Sequence, residues 1–579
     1  MNFVEAIGRR MTPEDKRLLG EIYAPTEVAV PDADPGFCLL THLGDGSLRM
    51  YGHYGKRHVF DAGEHRSYQE STDGGLSWKR HIVDDPDVLG ASVCLPYYGV
   101  YLAAVRKEGM LTVEIGPHPD APVEKRIPLG DFFEVTAILP VESVPGRVLI
   151  AAHEHRYDRH PTAFFQVILV TDDLEHFRLI HIPEAPFDKP TAPGVGTRWQ
   201  QNCREGTLVE KRNGDISLLC RTATDFLYEA VSHDGGETFD GIHPTAHHAV
   251  GTMPKYLKLS DGRLLLFFCN TRPLPELPDA DGVWEDVFTN RDAAHVAISE
   301  DDGEHWFGFR ELRLNPLRCA PDFRTAGGNA DVRDKSVHQF EAAELPEGKI
   351  LVVNGQHPSC RCMLIFDPAW LYETARTEDF SAGLANLSTQ VYIKSIVGDN
   401  PAKCAEELPK YPGHCAYNRI SGALLLPTPG YGRNESLFLP RPDSPFLISP
   451  LTGAVWNFPA GQRGRVTLSV FLPGGGLRLS LLDHWRNPSD PTVAGEAPVS
   501  VVLTKDILGQ NADNPSFAEV TFTFSCEKGS AVLSCAGYET ALPLRTVPPY
   551  GFSYLHLQCA ARETDLAGSY IASVAYTAE

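Results

Sequence analysis

A short pattern, S-x-D-x-G-x-x-[W/F], occurs three times in this chain of 579 residues. It starts at Ser71 (with Asp73, Gly75 and Trp78), at Ser232 (with Asp234, Gly236 and Phe239) and at Ser299 (with Asp301, Gly303 and Trp306). A fourth stretch, Val170 to Phe177, keeps Asp172 and the aromatic but lacks the serine and the glycine. Each copy reads as a hairpin tip. The aspartate caps the turn through nearby backbone, the glycine supplies a positive φ, and the aromatic packs between sheets. A supersecondary unit that recurs in this way buries its apolar face against its own copies, so the pattern predicts a repeat architecture.

A second set of turns completes the unit. Asp45-Gly46, Gly99, Gly146, Asn213-Gly214, Asp261-Gly262 and Glu347-Gly348 are each followed by strand-like runs, such as Ile216 to Cys220 and Arg263 to Cys269. These are hairpin signals between β-rich segments. The order is then strand A, glycine turn, strand B, variable loop, strand C, Asp box, strand D. Six such units predict an all-β, six-bladed β-propeller over residues 30–410, after an N-terminal segment of 1–29. Gly422 marks where a seventh blade would open. Beyond Tyr411 no box appears, and runs such as Val466 to Leu472, Leu477 to Leu482, Val520 to Phe524 and Tyr554 to Gln558 predict a C-terminal antiparallel β-sandwich over 411–579.

Charge narrows the partners. The net charge is −23 at pH 7, which opposes binding to nucleic acid or to an anionic membrane. No apolar run reaches the roughly 18 residues of a spanning helix. Residues 1–20 have no apolar stretch after Arg9-Arg10, so a cytoplasmic location is expected. The 13 cysteines are irregularly spaced and form no C-x-x-C pair. No cofactor and no metal site is read from the spacing.

The boxes resemble the Asp boxes of the sialidase superfamily, and the resemblance covers roughly residues 30–400. Asp boxes lie on blade rims and serve folding, so chemistry belongs at the other end, where the variable loops meet. The C-terminal part is similar to the lectin-like sandwiches appended to glycan-active propellers. Candidate site residues at the loop end are His53, Arg57 and His65 of blade one, with Asp61 and Glu64. Blade three adds His153 and Arg156. Blade four adds Trp199, Gln201, Glu205 and Arg221; blade five adds Arg272 and Arg291; blade six adds His338 and Gln339.

The resemblance gives two of these a role. Arg221 closes a strand that follows Glu205, and Arg291 precedes an Asp box. Both match positions where that family clamps a substrate carboxylate, a task suited to the guanidinium fork. Two departures stand out: Phe37 to His42 lacks the R-I-P arginine, and Ser336 to Glu341 holds His338 where a nucleophilic tyrosine is expected. The resemblance therefore implies a glycan-active exo-enzyme that hydrolyses a terminal acidic sugar, with His53, His65, Glu205 and His338 as catalytic candidates. A lyase that cleaves a uronic-acid linkage with a histidine base is the alternative. A non-catalytic glycan-binding propeller is a third reading. The expected partner is an oligosaccharide or glycoconjugate.

Overall fold

In this computed structural model the described residues are 3–30, 38–52, 67–83, 85, 87–107, 109–132, 134–156, 163–183, 201–222, 224–272, 291–316, 318, 336–355, 360–393, 418–428, 435–443, 451–510 and 516–579. The described residues are all-β apart from short helices, and the N-terminal two-thirds forms a β-propeller of six four-stranded antiparallel units, the third and fourth of which join into one eight-stranded sheet where 163–165 pairs in parallel with 201–203. Blades one to five run from Cys38 to His81, Val93 to Gly130, Glu134 to His181, Gln201 to His248 and Lys255 to Leu314. Blade six takes three strands from Glu341 to Phe366. Its fourth comes from the other end of the chain, where Thr26–Ala29 pairs with the strand Cys362–Phe366.

That closure changes the expected boundaries. Residues 26–29 belong to the propeller and not to a separate N-terminal segment. Ahead of them, helices α1 (Phe3–Arg10) and α2 (Pro13–Glu21) cover the junction of blades one and six. Thr12 caps α2 by accepting from Asp15 N–H, and Asp15 reciprocates to Thr12 N–H. Ile7, Met11 and Leu19 are buried among Leu48, Met50, Leu345, Leu351 and Ile365. The blade-one turn must be glycine here: Gly46 has φ +88°, and a Cβ on it would lie 2.3 Å from the Ala6 carbonyl oxygen.

The Asp boxes fold as the repeat predicts. In the second box Ser232 Oγ donates to Asp234 (2.8 Å) and accepts from Gly236 N–H (2.8 Å), while Asp234 accepts from Thr238 N–H (2.9 Å). Trp78 and Trp306 each donate their indole N–H to the glycine carbonyl of their own box, both at 2.9 Å. The fourth stretch is a correction. Its capping residue is Asp173, not Asp172, and Thr171 stands in for the serine. The turn is one residue tighter, and Leu174 takes the positive φ (58°) that glycine takes elsewhere. Asp172 instead pairs with Arg147.

Both kinds of turn share one rim. Arg212 of the blade-four glycine turn reaches Asp302 and the Glu300 carbonyl in the blade-five box. The Tyr98 hydroxyl of blade two lies within hydrogen-bond reach of the carbonyls of Gly146 (2.7 Å) and Asp172 (2.6 Å) in blade three. Strand A starts, strand B ends and strand C starts therefore lie at the opposite end.

The sandwich also begins earlier than residue 411. Ala375–Glu378 pairs with the last strand, Asp565–Ala578, and Leu387–Ser388 pairs with Gly453–Gly461. The segment around Gly422 opens no seventh blade. Asn418–Ser421 pairs with Gln390–Ile393, and Leu424–Pro427 pairs with Glu435–Arg441, which continues into a sandwich sheet. Two antiparallel sheets bury one core between them, including Leu437, Trp456, Val466, Leu468, Leu479, Phe522 and Leu557.

Candidate active site

Strand A of blade four carries a bulge at its loop end. Register with strand B slips by one residue between Arg204 and Thr207, so that Glu205 and Gly206 together stand opposite the single residue Cys220. Glu205 takes φ 51°, a costly conformation for a non-glycine residue. Bulges re-aim side chains that strict alternation would send to opposite faces. Here the result is that neighbours Arg204 and Glu205 reach each other, with Arg204 Nε 3.4 Å from Glu205 Oε1.

The bulge is held by its backbone. Gly206 N–H donates to the buried Gln166 Oε1 (3.0 Å), and its carbonyl accepts from Thr136 Oγ1 (2.7 Å). Gln166 Nε2 donates in turn to the carbonyls of Ala152 (2.8 Å) and Val167 (3.2 Å). A Cβ on Gly206 would lie 2.6 Å from Leu218 Cδ1, so any larger residue forces that buried side chain to move.

Arg221, at the end of strand B, donates to Glu205 Oε2 at 2.5 Å. Burial alone would raise the Glu205 carboxyl. Arg221, Arg204 and His153 outweigh it and hold the group well below the usual carboxylate range. Glu205 is therefore ionised at neutral pH and cannot be the proton donor. It can orient arginines, accept a proton or stabilise positive charge. His153 is fully buried at the neighbouring strand end of blade three.

Blades five and six build a second group at the same end. Arg291 is completely buried, and its Nη2 donates to the Gly251 carbonyl (2.5 Å). Its own carbonyl accepts from Val337 N–H (3.1 Å), which sets the next residue, His338, against the blade-five strand. His338 is buried, with Nδ1 2.6 Å from Ser336 Oγ. Gly355 N–H donates to the His338 carbonyl (2.9 Å), and the Gly355 carbonyl accepts from Arg361 Nε (2.9 Å). Gln339 follows with φ 73°.

Other expected residues fall elsewhere. Arg272 bonds Asp225 (3.4 Å) and Glu496 of the sandwich (2.9 Å), so its guanidinium is occupied in the inter-unit seam. Its neighbour Asn270 is equally committed: its carbonyl accepts from Trp485 N–H and its side chain donates to the Asp483 carbonyl. The sandwich covers this strand end. Gln201 and Arg156 lie on described strands with side chains outside the described set, and His53, Arg57, Asp61, Glu64, His65 and Trp199 lie outside the described residues.

Sequence reasoning passed over Arg204, Ser336 and Gln166. Alternation on a strand would point Arg204 away from Glu205, and nothing but Gly206 hinted at the bulge. Gln166 sits inside the apolar run of strand C in blade three, without a motif to single it out.

Residues 137–316 match the family model described as a BNR repeat-like domain. That span runs from the first strand of blade three to the end of blade five, and so contains Glu205, Arg221 and Arg291. Over that span the chain carries a BNR-like repeat. Solved structures similar to it include Trypanosoma rangeli sialidase, at 11% identity and TM-score 0.34, covering 96% of this chain and 94% of that one. A protein of unknown function from Dyadobacter fermentans is 17% identical with TM-score 0.35, covering 59% of this chain and 96% of its own. NanB sialidase from Streptococcus pneumoniae is 12% identical with TM-score 0.36, covering 60% and 71%. Likenesses this distant bear on neither substrate nor mechanism. No curated protein matches the chain.

Proposed function

We propose that this protein is a glycan-active exo-enzyme that hydrolyses a terminal acidic sugar at the loop end of its propeller. The observation that supports it best is the buried Arg204–Glu205–Arg221 cluster beside His153, in a chain whose net charge is −23. Two buried guanidiniums around one carboxylate carry a net positive charge, and a sugar carboxylate matches that charge and the planar shape of the fork. Arg291 supplies the second half of the clamp. Because Glu205 stays ionised, the leaving oxygen is protonated by another group, for which His53, His65 and His338 are the candidates.

One observation favours a second chemistry. The Ser336–His338 hydrogen bond fixes the ring that stands where a tyrosine was expected, directly after the backbone contact to Arg291. Such a histidine suits proton abstraction beside a carboxylate held by arginine, which is a lyase reaction. Incubation with sialylated and uronate-capped oligosaccharides separates the readings. Hydrolysis releases a free acidic sugar with no new absorbance, whereas elimination yields an unsaturated uronate that absorbs in the ultraviolet. Arg221→Ala and Arg291→Ala abolish either reaction on acidic substrates; unchanged kinetics in both would remove the clamp.

A further inference from the structure

Three ligand-bearing side chains meet where propeller and sandwich touch. His248 ends the outer strand of blade four, while Asp483 and His484 follow the sandwich strand Leu477–Leu482. Their donor atoms all lie within 4.8 Å of one another. Asp483 Oδ1 is 2.7 Å from His484 Nδ1, and Oδ2 is 3.4 Å from His248 Nε2. The two imidazoles are stacked, with centroids 3.7 Å apart and planes at 27°.

Backbone contacts hold the group in place. The Asp483 carbonyl accepts from Asn270 Nδ2 (2.9 Å) and from Ser553 Oγ (3.1 Å). Trp485 N–H donates to the Asn270 carbonyl (2.9 Å), and Phe226 packs against His248 at 4.8 Å.

As a purely structural contact this is a poor use of two histidines. His484 Nε2 and His248 Nδ1 are buried with no hydrogen-bond partner among the described residues. Two imidazoles and one carboxylate form a donor set suited to zinc, with a fourth position left for water. A cavity of about 10 Å³ bounded by His248, Asn270, Phe309 and Asp483 adjoins the cluster, about the space one water needs.

We propose that His248, Asp483 and His484 bind a zinc ion that pins blade four to the sandwich. The ion takes one nitrogen from each ring and one carboxylate oxygen. Imidazole lone pairs lie in the ring plane, so binding swings the two rings out of their face-to-face contact.

Zinc sulfate titrated into the chelator-treated full chain tests this by calorimetry and by metal content. One zinc per chain is expected, with a higher Tm for the loaded protein. His248→Gln and Asp483→Asn each lower affinity by more than the roughly 10–100-fold that loss of an outer-shell partner costs, whereas the exposed-histidine control His233→Gln binds as wild type does. Cobalt substitution gives tetrahedral visible bands in wild type and not in the two variants. Absence of stoichiometric uptake by wild type, which needs no variant to fold, overturns the proposal. So does equal affinity in both site variants, which places the ion elsewhere. None of these readouts depends on glycan turnover.

Discussion

One Glu205 carboxylate serves two guanidiniums: Oε2 lies 2.5 Å from Arg221 Nη1, and Oε1 lies 3.4 Å from Arg204 Nε. All three side chains are largely buried, so neutralising the carboxylate leaves two like charges facing each other with little water to screen them. Glu205→Gln is expected to cost about 3 kcal/mol, within the range for breaking a buried ion pair. The pH dependence follows from the direction of the shift. The folded carboxyl lies below its unfolded value, so its stabilisation is complete above about pH 4.5 and is lost as pH falls toward the folded value. Urea melts from pH 7 down to pH 3 should show this acid-side loss in wild type and a flatter curve in the variant. Parallel curves would disprove the shift.

The bulge that presents Glu205 depends on a buried amide and on a position without a Cβ. Gly206→Ala forces a contact of 2.6 Å with Leu218, an overpacking expected to cost ~1–3 kcal/mol. Gln166→Leu leaves Gly206 N–H without its acceptor, at a similar cost of roughly 1–3 kcal/mol. Both changes should lower kcat on the glycan substrate more than an equally destabilising change on the Asp-box rim does, because they move Arg204 and Glu205. Loss of stability with unchanged kcat would show that the bulge does not shape the site.

Repetition made the propeller legible. Ser232, Asp234, Gly236 and Phe239 mark one hairpin, and copies at Ser71 and Ser299 turn a local signal into an architecture. The rim and loop-end assignment of Glu205, Arg221, Arg291 and His338 followed from strand order alone. What escaped is set by contacts distant in sequence. Thr26–Ala29 completes blade six because the strand Cys362–Phe366 needs a partner at its outer edge, and no local pattern encodes that. Arg272 looked like a loop-end guanidinium until Glu496, far along the chain, was found to pair with it. The degenerate box was misregistered by one residue because Asp172 and Asp173 are adjacent and only the Thr171 contact distinguishes them.

The Asp boxes supply controls that separate folding from chemistry. Asp234→Ala removes the acceptor for Thr238 N–H and for the Thr238 hydroxyl, and Asp173→Ala removes the acceptor for His176 N–H. Each should lower Tm by a few degrees while leaving kcat/KM unchanged on any glycan the enzyme turns over. Thermal scans and steady-state kinetics on the same preparations decide the matter. A fall in kcat/KM without a fall in Tm would place chemistry on the rim, against the strand-order assignment.

The seam between the two units carries a buried chain of hydrogen bonds whose direction is fixed. Asn270 N–H donates to His295 Nδ1 (3.0 Å), so His295 carries its proton on Nε2 and donates to Tyr554, whose hydroxyl donates to Glu311 Oε1 at 2.9 Å. Burial raises the Glu311 carboxyl to about 7, against the opposing pull of Arg376, Tyr554, Arg318 and Arg310. A carboxyl raised in the folded state holds its proton there after the unfolded chain has lost it. Stability from this group is therefore greatest below about pH 4.5, declines as pH rises toward 7, and levels off beyond. The span corresponds to a loss on the order of 3 kcal/mol. Glu311→Gln keeps the acceptor for Tyr554 and cannot ionise, so its urea-derived stability should vary less between pH 5 and pH 8 than that of wild type. Identical pH slopes in the two proteins would mean that Glu311 stays charged in the seam, with Arg376 and Arg310 neutralising it.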